Sequence, residues 1–432
     1  MIATSIVLLL RAVPHEAEGV AFDPLLGVPL FLRNLLTLAH AGFTRFALVA
    51  PAHARRHILK AWQRRNLHLD LIACRPEHRM TAETLQQLQR LVANRFCLID
   101  TNTIITDGWI RNELRPALTH GRLLTAAGRI ITARELDMWQ QTMPADGIRV
   151  DQLLPTTRDR ITEQTYPLLM RSDRHGAEVF LTEQIRLATR AFIARTINKR
   201  CSLPLSRLLA RWRIHPHGIT AFNMLVGLAA GIGTAGVTYT GLLIGACLFQ
   251  LASILDGCDG EVAKLTFRTS KFGQYIDTVS DNFCLVSFCT GLVIHHYRVV
   301  DPYGALLLGV LLLGGLGVLL ATMIRFLKTE TDSFSLVTFE REYVDRLAAS
   351  RRTAVGTFAH WGKTLVKKDC FSLIALLMAI PGWLPIWFYL AIVGAWAGVL
   401  TIYLLQRQSR WAPAATMATQ PAIIGRKNAH VS

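Results

Sequence analysis

Hydrophobic positions along this chain follow two different rules. Through residue 217 they come in short runs separated by amphipathic stretches; after it they come in runs long enough to cross a bilayer. In the first part, 5–10, 45–50, 69–74 and 96–100 read as short apolar strands, and 30–41 and 52–62 as amphipathic helices. Strand and helix in alternation predict a mostly parallel α/β sheet. In the second part, apolar runs at 219–237, 239–255, 274–297, 303–326, 370–383 and 386–405 predict an all-α domain of six transmembrane helices. The fifth run is short and ends at Pro381 and Pro385, so it also suits a re-entrant hairpin with the sixth. The chain therefore divides into a cytosolic α/β domain at 1–172, basic amphipathic helices at 173–217, a transmembrane domain at 218–405 and a basic tail at 406–432. A composition of 51% hydrophobic residues conceals this split.

Acids punctuate the apolar half in one frame: Asp256-x2-Asp259-Gly260-x2-Ala263-Lys264-x8-Gly273-x3-Asp277-x3-Asp281. An ionised carboxylate at the centre of a membrane helix costs about 2.5–3.5 kcal/mol on the insertion scale, so acids beside apolar spans call for compensating charge. Asp256 and Asp259 are i and i+3, Asp277 and Asp281 are i and i+4, and each pair shares a face of its own helix. Hard oxygen ligands from two helices suit Mg2+ or Mn2+, which accept carboxylates, water and phosphate oxygens. Gly260 and Gly273 leave bare backbone beside the acids, where a nucleotide can approach. The plainer reading, helix-end caps and solvated charges, accounts for one such aspartate more easily than for four.

The stretch from Asp256 to Asp281 resembles the signature of the CDP-alcohol phosphotransferases, membrane enzymes that move a phosphoalcohol group from a cytidine diphosphate donor to a hydroxyl acceptor and release CMP. One position departs from the pattern: Lys264 stands where the family has arginine, which keeps the charge but loses the planar fork. The resemblance implies two divalent ions on Asp256, Asp259, Asp277 and Asp281, with Asp281 also taking the proton of the acceptor hydroxyl. It implies a cytidine pocket shaped by Gly260, Ala263 and Gly273, with Lys264 at the phosphates, and it implies a homodimer. Arg195, Lys199, Arg325 and Lys368 are candidates for holding a phosphorylated acceptor, and each equally suits an anchor reaching to headgroups.

The formal net charge is +17, and its location decides its meaning. Between 182 and 213, Arg186, Arg190, Arg195, Lys199, Arg200, Arg207, Arg211 and Arg213 alternate with apolar residues, as in helices lying among anionic headgroups. This favours lipid over nucleic acid as the partner. Basic residues after the second, fourth and sixth spans, from Lys264 to Arg410, face only Arg298 on the other side, so the positive-inside rule puts the amino-terminal domain, the aspartates and the tail in the cytoplasm of an inner-membrane protein. The eight cysteines form no CxxC pair or zinc spacing, which suits a reduced population. Residues 2–10 are short, with Arg11 after the apolar run, so no cleavable signal peptide is expected.

The layout of the first domain, with Asp23-Pro24-Leu25-Leu26-Gly27 leading into a helix and Asp100 closing a strand, resembles the sugar-phosphate nucleotidyltransferase (Rossmann-like) fold. Active members carry a glycine-rich loop after the first strand, because backbone N–H groups cradle the triphosphate. Here that place reads Arg11-Ala12-Val13-Pro14-His15-Glu16-Ala17-Glu18-Gly19, and Asp23 replaces the usual lysine, so a degenerate domain is expected. Asp100 suits a metal aspartate or simply a polar strand end. The domain order is similar to that of bifunctional inositol-1-phosphate cytidylyltransferase and di-myo-inositol phosphate synthase proteins, which implies an inositol-phosphate type of acceptor. Two alternatives stay open: a phospholipid synthase using CDP-diacylglycerol, and a membrane nucleotide-binding scaffold without turnover.

Overall fold

The computed structural model describes residues 5–9, 19–51, 54–62, 68–74, 79–91, 95–120, 127–149, 164–168, 170–189, 194–330 and 368–409. The segment 10–18, most of the missing phosphate loop, lies outside the described residues, as do the basic positions from 341 to 367 and the tail beyond 409. The chain forms two compact units. One comprises Met1–Arg190, Leu203–His215 and Gly260–Arg268; the other comprises Ala191–Ser202, Pro216–Asp259 and Thr269–Ser432.

The first unit is built on a five-stranded sheet of β1 (Ser5–Leu9), β2 (Arg45–Pro51), β3 (His68–Cys74), β4 (Arg95–Asp100) and β5 (Gly128–Thr132), in the order β3-β2-β1-β4-β5. The four strands expected from the sequence are parallel, and β5 closes the edge antiparallel to β4. Strand β5 was not anticipated, since five residues opening on glycine carry little period of their own. Both faces of the sheet are buried, which is why its strands read as unbroken apolar runs. Ile6, Leu8, Phe46, Leu48, Cys97 and Ile99 pack on one side against Phe31, Leu35 and Leu38 of α1 (Leu30–His40). On the other side Val7, Ala47, Val49, Phe96 and Leu98 meet Leu85 and Leu88 of α2 (Ala82–Leu91) and Leu136 of α3 (Ala133–Gln141). The approach to α1 is a two-residue hairpin, Pro24–Leu25 against Val28–Pro29, whose turn holds Leu26 at φ 50° and Gly27 at φ 82°. Two left-handed residues match the twist of a tight hairpin, and glycine takes the second without strain.

A buried carboxylate ties helices of this unit to one another. Glu178 on α4 (Arg174–Ala188) is fully buried and receives Arg174 at 3.3 Å and Arg211, the last residue of α5 (Lys199–Arg211). The hydrogen bond to Glu178 pushes the Arg211 guanidinium above its ordinary range. Arg33 on α1 is buried too; desolvation lowers it to about 10, and Glu178 opposes that fall.

The second unit is helical: α6 (Pro216–Thr234), α7 (Tyr239–Leu265), α8 (Lys271–Val299), α9 (Pro302–Glu330), α10 (Lys368–Ala379) and α11 (Leu384–Ser409), with the end of α7 from Gly260 assigned to the first unit. Among the described residues, three stretches are long and apolar enough to cross a membrane: Tyr239–Leu265, Lys271–Val299 and Pro302–Thr322; Leu384–Leu400 is shorter and apolar. Helix α7 continues ten residues past the apolar run that ends at 255, so the first two aspartates stand inside it, as their i, i+3 spacing requires. Phe249, Phe288 and Trp387 form the aromatic centre of the unit, with Phe249 and Phe288 stacked at 4.1 Å.

Small residues bring α6 and α8 together. A Cβ on Gly227 would lie 2.3 Å from Cys284 Sγ, and one on Gly231 would lie 2.6 Å from the Ser287 carbonyl oxygen. Gly291 faces back onto Gly231, where a Cβ would sit 2.2 Å from the carbonyl. Backbones this close carry the polar side chains of α6 up to the acids.

Candidate active site

Helix geometry sets the height of the acids. From the 266–270 turn, Asp256 stands nine residues back along α7 and Asp281 ten residues past the start of α8, about 14 and 15 Å at 1.5 Å per residue. Asp259 and Asp277 are each six residues away, about 9 Å. Two levels of paired carboxylates follow from the spacing. Ser270 begins α8 by accepting the Gly273 N–H at 2.9 Å, so Gly273 serves the cap, and a Cβ there would lie 3.2 Å from the His217 ring.

At the upper level Lys368 joins the two helices. Its Nζ donates to Asp256 Oδ1 at 3.2 Å and to Asp281 Oδ1. All three side chains are largely buried, at 13% exposure for the lysine, 21% for Asp256 and 18% for Asp281. Asn223 on α6 also donates to Asp256 Oδ1, at 3.4 Å, while its own buried Oδ1 accepts no hydrogen bond. Asp277, one turn before Asp281, is half-buried. At the lower level Asp259 is buried and takes the Thr220 hydroxyl on Oδ2, a hydroxyl that also lies 3.2 Å from the Pro216 carbonyl. The structure thus brings Asp256 and Asp281 to one cation and holds Asp259 to α6. Among the described residues no group of three or more acidic, His or Cys side chains is gathered closely enough to form a ready metal cage.

The donor set still fits a divalent ion. Every contributor is a hard oxygen, Asn223 Oδ1 is an unused acceptor beside them, and an ammonium already lies between two of the carboxylates.

Beyond Asp259, the frame positions Gly260, Ala263 and Lys264 lie on the last turns of α7. A Cβ on Gly260 would meet nothing within 4 Å. Ala263 is half-buried and Lys264 is exposed. The helix ends with Phe267 at φ 53°, the Arg268 N–H on the Ala263 carbonyl at 2.8 Å, and Arg33 Nη2 on the Leu265 carbonyl at 2.8 Å. A guanidinium on the last carbonyls opposes the negative end of the helix dipole. Glu261, also buried, accepts the Ser206 hydroxyl at 2.7 Å.

Other sequence candidates fall elsewhere. Arg195 and Lys199 are half-buried and Arg325 is exposed. Asp100 is buried at the end of β4 and accepts the Asn102 N–H at 2.9 Å, closing a turn, while Asn34 donates to the carbonyls of Thr101 and Thr103 from below. Asp23 pairs with Arg171 at 3.0 Å. Thr220 and Asn223 were missed; their signal was two polar residues three apart within an apolar run, facing an acid pair.

Residues 213–357 match the family model described as CDP-alcohol phosphatidyltransferase. A protein named bifunctional IPC transferase and DIPP synthase from Thermococcus kodakarensis is 37% identical over 97 residues, 22% of this chain and 21% of its own length. A protein of the same name from Aquifex aeolicus is 35% identical over 104 residues, 24% of this chain and 23% of its own. The matches thus span about a fifth of the curated relatives. Among solved structures, HddC from Yersinia pseudotuberculosis aligns with 40% of this chain and 97% of its own at 14% identity, with a TM-score of 0.28.

Proposed function

We propose that this chain, whose residues 213–357 match the CDP-alcohol phosphatidyltransferase family model, transfers a phosphoalcohol group from a membrane-accessible CDP-alcohol to a hydroxyl acceptor and releases CMP. The observation that carries the reading is the pair Asp256 and Asp281 held around one positive charge in an otherwise apolar helical unit. Asp256, Asp259, Asp277 and Asp281 would hold Mg2+ or Mn2+, with Asn223 Oδ1 as a further oxygen. When bound, the ions supply charge neutralisation to the pyrophosphate. Asp281 accepts the proton of the acceptor hydroxyl on a carboxylate oxygen. The open face at Gly260, with Ala263 and Gly273 nearby in the frame, admits the cytidine, and exposed Lys264 meets the phosphates.

The relatives' names support an inositol-phosphate type of donor and acceptor, with CDP-inositol as the first candidate. The six helices α6 to α11 would all lie in the membrane, with the acids and the first unit on the cytoplasmic side, as the distribution of basic residues favours. A homodimer completes the proposal. The parallel sheet with Asp100 at the carboxyl end of a central strand supports a nucleotidyltransferase-like origin for the first unit, in a degenerate form that leaves the donor to come from elsewhere.

CMP release by the purified full-length protein tests the reading. With Mg2+, turnover is expected on CDP-inositol, and Asp281→Asn is expected to reduce it by about 10²–10⁴-fold, the usual contribution of a general base. Asp277→Asn should fall with it. Turnover on CDP-diacylglycerol alone would reassign the donor to the lipid class, and undiminished turnover in both variants would remove the assignment.

A further inference from the structure

We infer that Lys368 is a resident cation of the carboxylate site, one that a divalent ion must displace, and that Asp369 is the residue that positions it. The inference rests on the reading of those carboxylates as a metal site. Lys368 is the first residue of α10, and neither Asp256 nor Asp281 is on that helix. Two carboxylates facing each other in an apolar surrounding repel and lose their hydration, so the ligand-free site needs a positive charge. An ammonium on a flexible four-carbon stem fills it and can withdraw, which a planar, forked guanidinium does less readily.

What keeps the stem in place is a polar network immediately behind it. Asp369 Oδ1 accepts Asn198 Nδ2 at 2.7 Å and Ser253 Oγ at 3.1 Å. Gln250 Nε2 donates to Asn198 Oδ1 at 3.2 Å, and Ser372 Oγ donates to Gln250 Oε1 at 2.8 Å. Asn198, Gln250, Ser253 and Ser372 are all buried. Ser253 precedes Asp256 by three residues, so it lies on the same face of α7 one turn away. Asp369 thus locks the start of α10 to the helix that carries the acid, and Lys368, next in the chain, is delivered to that acid. A doubly charged ion neutralises both carboxylates where the ammonium neutralises one, which favours the exchange once both are ionised. Metal entry is therefore a competition, and the protein's affinity for the ion is set partly by Lys368.

The test is Mn2+ titration of the full-length protein in detergent, read by electron paramagnetic resonance, with thermal melting in parallel. Lys368→Met is expected to bind Mn2+ about tenfold more tightly, a difference of about 1.4 kcal/mol. It should also melt lower without metal and gain more from Mn2+ than the wild type. Lys368→Arg, whose planar fork withdraws less readily, should bind Mn2+ no more tightly than the wild type. Asp369→Asn should move toward Lys368→Met by a smaller factor, and it supplies the answer if Lys368→Met fails to fold. Equal or weaker Mn2+ binding in Lys368→Met, or in Asp369→Asn where Lys368→Met does not fold, would overturn the inference, as would no Mn2+ binding in any of the proteins. CMP release is measured separately: exchange without turnover leaves the inference standing and removes the transferase reading, whereas turnover with unchanged Mn2+ affinity does the reverse.

Discussion

At Thr220 one hydroxyl serves a buried acid. It donates to Asp259 from the neighbouring helix, and Thr220→Val keeps the shape while removing the donor. Loss of a partner for a buried polar group costs about 1–3 kcal/mol, so Thr220→Val should lower the melting temperature in detergent, and Thr220→Ser should restore it. The acids themselves were legible because four of them in a fixed frame stand out against apolar sequence. Thr220 and Asn223 were not, because a lone hydroxyl or amide in a hydrophobic run looks like tolerated polarity until its neighbour is known. Lys368 was legible as a candidate for holding a phosphorylated acceptor or as a headgroup anchor, and not as a partner of the acids. Its place between two aspartates depends on helix α10 starting where it does, which no local pattern of the sequence states.

Among the elements, the seam between α6 and α8 is the most sensitive. Gly227, Gly231 and Gly291 let the helices approach where any side chain would collide with sulfur, hydroxyl or backbone. Gly231→Val should cost about 1–3 kcal/mol by overpacking and should reduce CMP release further, because it pushes α6, with Thr220 and Asn223, away from α8 and Asp281. Gly314→Val on α9, where a Cβ meets nothing within 4 Å, should leave melting and turnover as they are. Calorimetry or fluorescence melting, paired with the turnover assay, separates the two. At this scale the sequence was informative where period and length coincide: four parallel strands and the long apolar helices follow from it. It was silent where pairing decides, as for β5.

For the whole molecule, the proposed orientation puts the 266–270 turn and the 300–301 turn on opposite sides of the membrane. Single-cysteine variants in an otherwise cysteine-free background test it with a membrane-impermeant maleimide. Thr269→Cys should label in inverted vesicles and stay protected in right-side-out ones, and Asp301→Cys should do the opposite. Both residues are exposed, so protection reports the bilayer. The reverse pattern would put the acids outside and deny them cytosolic nucleotide. That Gly260–Arg268 belongs to the same unit as the sheet was not visible in the hydropathy profile; Arg33 reaches the Leu265 carbonyl there from more than two hundred residues away.

Helix α7, with its 27 residues, is about 40 Å long, whereas the hydrocarbon layer of a bilayer is about 30 Å thick. In the proposed orientation the surplus is the stretch that bears Asp259, Gly260 and Lys264, with Asp256 at its threshold. The helix would then have a greasy stem, with the proposed chemistry beyond it. An inhibitor aimed at the divalent ions these carboxylates would hold should be chosen for aqueous solubility and an anionic, metal-binding group, since partitioning into lipid would concentrate it along the stem, away from the chemistry.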